Sequence, residues 1–177
     1  MKENNIKDIN YYQSKKFIMS FMIVMIAVII CICIFMSCHE MRIKVIDVSE
    51  YETETDNIQF KVKKAKIKKR KSEISSVEIS GWCVKKGVPT NNIAMHVLLK
   101  NSEGIYYILP TYISADQEVT GKINDGINYD NSTFNVSLLN VNKLSAKDKY
   151  ELFLLYEIED SSYLVSLDKK IKVKKDK

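Results

Sequence analysis

The chain has 177 residues and a formal net charge of +5. Its four cysteines and two histidines are too few and too scattered for a disulfide framework or a closed zinc site. Its five glycines form no glycine-rich phosphate loop, which removes the common nucleotide-binding chemistries.

The first informative segment is Phe17 to Ser37, "FIMSFMIVMIAVIICICIFMS", which carries no charge. As a helix its roughly 21 residues extend about 31 Å, enough to cross a hydrocarbon core of about 30 Å. Lys2, Lys7, Lys15 and Lys16 precede it, whereas Glu40, Asp47, Glu50, Glu52, Glu54 and Asp56 outnumber Arg42 and Lys44 after it. The positive-inside bias puts the N-terminus in the cytoplasm and everything after the span outside. A second reading uses "IFMSC", in which Cys38 follows a small residue as in a lipoprotein cleavage box. Met36 is unusual there, and the apolar stretch exceeds a signal-peptide core of about 7 to 15 residues, which favours the uncleaved helix over lipid attachment at Cys38. Cys31 and Cys33 read as small apolar residues of the span.

The organisation expected is a cytoplasmic tail over 1–16, a transmembrane helix over 17–37, a stalk over 38–56 and one extracytoplasmic domain over 57–177. The stalk includes a short extended piece around Ile43 to Val48. The domain alternates with period two. Ile58, Phe60 and Val62 share one face; Val77, Ile79, Gly81 and Cys83 share another, with Glu78, Ser80 and Trp82 on the reverse side. "IAMHVLLK" and "IYYILP" read as a hairpin that sets Leu99 against Tyr106 and Val97 against Ile108, leaving His96, Lys100 and Tyr107 outward. "YELFLLYEI" and "YLVSL" read as a second hairpin with Tyr156 opposite Val165; its core face is Leu152, Leu154, Tyr156, Ile158, Tyr163, Val165 and Leu167. Ser114 to Ser132 reads as polar loop, "TFNVSLL" as a strand and "KIKV" as the last strand.

The fold class expected is all-β: a single immunoglobulin-like Greek-key β-sandwich of about seven strands, preceded by one transmembrane helix. Tyr150, opening a late strand behind a tight polar turn with Asp148, resembles a tyrosine corner, whose hydroxyl bonds to backbone a few residues upstream. "ISGWCVKKG", "IAMHVLLKN", "YYILPT", "ADQEV", "STFNVSL" and "KYELFLLYE" together resemble an immunoglobulin-like sandwich of low-GC Gram-positive bacteria. Such modules stand behind a membrane anchor or beside glycosyltransferases and other cell-envelope polysaccharide proteins. The resemblance covers about 75 to 175 and implies an accessory role in the envelope. The chain departs from that pattern at Asp116, where an Arg-x-Asp pair is missing, and at Thr133, which replaces a glycine before Phe134.

Catalytic sets are thin. Cys83 points inward and His96 outward, so they form no nucleophile and base pair. Asn124, Asp125, Asn128 and Asp130 offer hard oxygens, but Asn and Asp are also default turn formers; no cofactor or metal is expected. The run Lys61, Lys63, Lys64, Lys66, Lys68, Lys69, Arg70 and Lys71 suits an anionic envelope polymer, or else blunts an exposed strand edge. Trp82, Tyr107, Tyr112 and His96 are the candidate surface for an envelope glycan or a membrane-complex protein. A nucleic-acid partner does not fit a domain outside the membrane. The function expected is a non-catalytic, membrane-tethered binding module; a structural subunit of a polysaccharide assembly complex and an accessory envelope enzyme are the alternatives. Protease added to intact cells is expected to digest the C-terminal domain and spare the N-terminal tail; full protection of the domain would reverse the topology.

Overall fold

The computed structural model describes residues 2–40, 42–53, 56–158 and 161–176, and within its long helix it describes side chains from Lys15 to Phe35. Two compact units divide the chain, Met1–Arg42 and Ile43–Lys177. The first is one helix, α1 (Lys2–Glu40). Its stretch Lys15–Phe35 has a mean hydropathy of 3.2 with nothing buried, and is long and apolar enough to cross a membrane. Residues 2–16, expected as a tail, continue the same helix. Cys38 and His39 lie in its last turn, and their side chains fall outside the described ones.

The second unit is mostly β. Its strands are β1 (Lys44–Ile46), β2 (Ile58–Arg70), β3 (Glu73–Lys85), β4 (Ile93–Lys100), β5 (Tyr106–Ile108), β6 (Tyr112–Ser114), β7 (Thr133–Val141), β8 (Lys149–Ile158) and β9 (Ser161–Lys175). They form one curled sheet in the order β1-β5-β4-β8-β9-β2-β3-β7-β6. The sequence reading of about seven strands is corrected to nine described ones. The short extended piece expected around Ile43 to Val48 is β1, which joins the sheet instead of a stalk. The short strand β6 was not foreseen, and the last two expected strands fuse into the long β9. That strand pairs antiparallel with β8 over Ser161–Lys172 and then parallel with β2 over Val173–Lys175. The sheet thereby curls over one core, to which β2, β3, β4, β7, β8 and β9 all contribute buried residues.

Alternation decides which side chains meet in that core. Val77, Ile79 and Cys83 of β3 meet Met95, Val97 and Leu99 of β4 and Leu152, Leu154 and Tyr156 of β8. Gly81 lies inside this face because nothing larger fits: a Cβ there would lie 2.4 Å from the Lys61 carbonyl and 2.6 Å from the Phe134 ring. In β2 the alternation is interrupted between Val62 and Lys64, a bulge that returns Ala65 and Ile67 to the core side.

The β4–β5 hairpin is one residue away from the expected register. Lys100 pairs with Tyr106 and Leu99 with Tyr107, because the turn spans Asn101–Ile105 instead of four residues. Asn101 Oδ1 accepts from the amides of Glu103 (3.1 Å) and Ile105 (2.9 Å), and Gly104 supplies the left-handed φ of 86° that a Cβ would resist. A slip of one residue reverses faces. Tyr107 therefore turns toward the main core, while Tyr106 and Ile108 join Leu98, Leu155 and Leu164 on the other side. The β8–β9 hairpin slips by two, with Tyr156 opposite Tyr163, so its faces stay as expected.

Residues 43–53, expected in a stalk, belong to the β unit. Ile43 is buried in the core and β1 pairs with β5. Ile46, Val48 and Tyr51 cover the outer cluster of Leu98, Leu155 and Leu164, and the Glu52 carbonyl accepts from the Leu164 amide at 2.8 Å.

Tyr150 is fully buried at the start of β8, and its hydroxyl donates to the Ser145 carbonyl at 3.0 Å. Burial pushes this hydroxyl up to about 12. Tyr150→Phe leaves that carbonyl without its donor and is expected to cost about 1 to 1.5 kcal/mol, read from the thermal or denaturant midpoint near neutral pH. The raised folded pKa means that the hydroxyl's contribution is intact below its unfolded value of about 10 and is lost as pH climbs toward 12. The gap between wild type and Tyr150→Phe should therefore narrow above pH ~10; an unchanged midpoint at neutral pH would discount the bond.

Candidate binding surface

The segment expected to be polar loop, Ser114 to Ser132, contains a helix α2 (Gln117–Ile123) and a 3-10 turn η1 (Asp130–Ser132). Local chemistry explains the helix. Asp116 caps it by accepting from the Glu118 amide at 3.1 Å, Glu118 and Lys122 pair one turn apart, and Asn124 closes it in the left-handed conformation. The Lys63 ammonium, displaced from the alternation by the β2 bulge, pairs with Asp116 and holds that carboxyl below its usual range. The bulge thus attaches α2 to the sheet.

What α2 covers is the reverse side of β3. Val119 packs with Trp82, Val84 and Tyr129, and Ile123 and Ile127 fill in around them. Trp82 does stand on the opposite face from Cys83, as alternation requires, but only 8% of its surface is exposed. Its expected place on an outward binding surface is corrected: the face exists and is roofed. Asp125 and Asp130 secure that roof. Tyr129 donates to Asp125 Oδ2 (2.7 Å) and accepts from the Gly87 amide (2.8 Å), while Thr120 donates to Asp130 Oδ1 (2.6 Å) and accepts from the Tyr129 amide (2.8 Å). Burial and the Asp125 carboxylate together raise the Tyr129 hydroxyl. Asp125 and Asp130, the two carboxylates among the hard-oxygen candidates, have hydrogen-bonding partners in this arrangement. Among the described residues no group of three His, Cys, Asp or Glu side chains is arranged to hold a metal ion.

The other aromatic candidates are separated. Tyr107 is half-buried against the core, which corrects its expected outward position. His96 is half-buried on the outer side of β4, across from Leu155. Tyr112 is 55% exposed on the terminal strand β6. Tyr107 and His96 thus lie on opposite sides of the sheet. Cys83 is fully buried in the core and its thiol is pushed up by burial, on the other side of its strand from the α2 roof.

The basic run also divides. Lys61, Lys64, Lys66 and Lys68 point outward, since Phe60, Val62, Ala65 and Ile67 pack against or in the core. Lys64 pairs with Glu78 and Lys68 with Asp176 (3.3 Å), and Glu78 is held below its usual range by Lys64. Lys69 instead donates to the Ala146 carbonyl at 3.3 Å, and Arg70 and Lys71 lie at the β2–β3 hairpin, Lys71 with a φ of 58°. Edge protection applies to part of this run. β2 pairs with β9 only over Ile67–Lys69, so its earlier lysines flank a strand with one partner and Lys68 flanks a strand with two.

One pair was not foreseen. The Lys85 ammonium donates to the Tyr163 hydroxyl at 2.7 Å, which lowers that hydroxyl from its usual value. It ties the end of β3 to the start of β9, with the Tyr156 hydroxyl 3.4 Å from the Lys85 amide. The signals for α2 were present as Asp116, Glu118, Val119 and Ile123; those for the Lys85 pair were not, because its members are remote in sequence.

Trp82 is the only tryptophan, so its burial is directly measurable. Its fluorescence should be blue-shifted and resist iodide quenching, and Trp82→Ala should cost about 3 to 5 kcal/mol; a red-shifted, readily quenched emission would contradict the α2 roof. Cys83 should stay unalkylated in the native chain, by peptide-resolved mass spectrometry, and react on unfolding. No protein-family model, no curated protein and no solved structure matches this chain.

Proposed function

We propose that this chain is a single-pass, membrane-tethered module whose β unit stands outside the cytoplasm and binds a component of the cell envelope without catalysing a reaction. The observation that carries the reading is continuity: the apolar stretch Lys15–Phe35 leads into a folded β unit that begins at Ile43. The charge asymmetry around the span supports the orientation.

An immunoglobulin-like Greek-key sandwich is part of the proposal. Its support is the strand order, in which β6, β7, β3 and β2 follow the sequence D, E, B, A and β9, β8 and β4 follow G, F, C. The Tyr150 bond to Ser145 occupies the place of a tyrosine corner. With Trp82 and Tyr107 packed inside, the surface left for an envelope glycan is charged, and it includes the outward lysines Lys61, Lys64, Lys66 and Lys68. The glycan class is therefore anionic.

A second reading, a structural subunit of a polysaccharide assembly complex, is favoured by the exposure of Ile113 (39%) on the terminal strand β6 and of Leu139 (77%) on the neighbouring β7. The full chain in neutral phosphatidylcholine nanodiscs, passed over immobilised anionic and neutral envelope glycans, should be retained by the anionic ones and released by salt. Retention by none, together with co-purification of a membrane protein from cells, would replace the first reading by the second.

A further inference from the structure

The chain ends in "KKIKVKK", Lys169 to Lys175. Ile171 is buried and Val173 packs against the core, so Lys170, Lys172 and Lys174 face outward. The registers then assemble charges that are remote in sequence. Lys174 stands opposite Lys68 of β2, Lys172 opposite Lys149 of β8, and Lys170 opposite Glu151, which itself stands opposite Lys100 of β4. Lysines at alternate positions of one strand are about 6.7 Å apart, and neighbouring strands about 4.8 Å. The outer side of β2, β9, β8 and β4 thus carries a continuous basic band.

The arrangement costs the fold electrostatic energy. Like charges directly opposite on neighbouring strands are destabilising, and the band contains two such pairs, Lys68 with Lys174 and Lys149 with Lys172. Acid answers it at two points, Glu151 at 2.8 Å from Lys170 and Asp176 at 3.3 Å from Lys68. Lys149, Lys172 and Lys174 have no acidic partner among the described residues. Each of the three stands where its strand has one partner, since β9 pairs with β8 up to Lys172 and with β2 from Val173, and β8 meets β4 only from Glu151. Lysine there also blunts a strand edge, which calls for single charges and not for like charges set opposite one another. An open groove of about 520 Å³ lies along the band, lined by Lys100, Lys149 and Lys170 together with Tyr150, Glu151 and the turn Asn101–Gly104, which carries Glu103.

The chemistry narrows the ligand. Lysine presents a compact point charge without the bidentate fork of arginine, so a row of lysines reads spacing of charge and not the shape of one group. Lipid headgroups are the other source of repeated anions, and binding at a lipid interface sets apolar side chains into the headgroup layer. The exposed large hydrophobics of the β unit are Val45, Tyr112, Ile113 and Leu139, on β1, β6 and β7; none accompanies the band on β2, β8 or β9. We propose that this band is a binding site for a linear polyanion, a flexible chain with phosphate or carboxylate groups at regular intervals. That such a polymer comes from the envelope rests on the function proposed above; the site itself does not.

The test uses the full chain in neutral nanodiscs, titrated with fluorescently labelled inorganic polyphosphate at several salt concentrations. Lys172→Gln/Lys174→Gln should weaken binding about thirtyfold at low salt and make log K against log salt shallower by about 1.4, with a thermal midpoint equal to or above wild type. Lys86→Gln/Lys122→Gln, an equal change of charge away from the band, should shift the affinity less than about twofold. Equal weakening by the two variants, or none by the first, overturns the site. Binding to phosphatidylglycerol vesicles as tight as to polyphosphate, and lost in the first variant, overturns the polymer in favour of lipid. A chain of inverted orientation would still bind polyphosphate here, so this inference and the proposed function fail separately.

Discussion

Because β9 hydrogen-bonds to β8 along its first part and to β2 along its last, the two halves of the sheet are closed over one core by a single strand. The constraint is physical: a strand buried on one face must keep its alternation through the change of partner, or its apolar residues would emerge on the solvent side. Val165, Leu167, Ile171 and Val173 keep it, because the irregularity between the Leu152–Lys169 and Phe153–Ser166 pairs inserts two residues, Leu167 and Asp168, and two preserve the alternation. Asp168 takes a left-handed φ of 48° there. The same continuity places the outward lysines of β9 in line with those of β2 and β8. Closure of the core and the basic band are two consequences of one register.

β3 shows how a second layer changes the meaning of a residue. Its inward face contributes Val77, Ile79 and Cys83 to the core, and its outward face would expose Trp82 and Val84 without α2. Covering them takes a helix of a single short segment, held by the Lys63–Asp116 pair and by the Tyr129 and Asp130 hydrogen bonds. Polar residues in a loop-like stretch are thus employed in holding a lid of apolar ones. The outer side of β4 and β8 is treated similarly by residues 46–51, which cover Leu98, Leu155 and Leu164. With the Trp82 face and the Leu98–Leu155–Leu164 face both covered, what the β unit presents outward is mainly charge, with Tyr112, Ile113 and Leu139 exposed on β6 and β7.

The parts of the fold legible from the residues were those governed by parity. Cys83 inward, His96 outward and the whole core face of the β8–β9 hairpin follow from counting in twos, and they survive a register error of two residues. Tyr107 does not, because an error of one residue in the β4–β5 turn exchanges faces. That turn was decided by the Asn101 side chain and the left-handed Gly104, whose effect on loop length is not visible in the flanking strands. The tyrosine bond at Ser145 was legible because both partners lie within five residues.

By itself the sequence determined an apolar helix of membrane-spanning length, a β-rich unit after it and the buried side of β3, β4, β7, β8 and β9, since all three depend on composition or on neighbours in the chain; the bulge of β2 was not among them. Only the tertiary structure decided that Trp82 is roofed, that residues 43–53 join the sheet, that Lys85 meets Tyr163, and that lysines from β2, β8 and β9 form one band. Each of these depends on which remote segment lies alongside, and a cross-strand neighbour is set by closure of the core, about which the local alternation of either strand is silent.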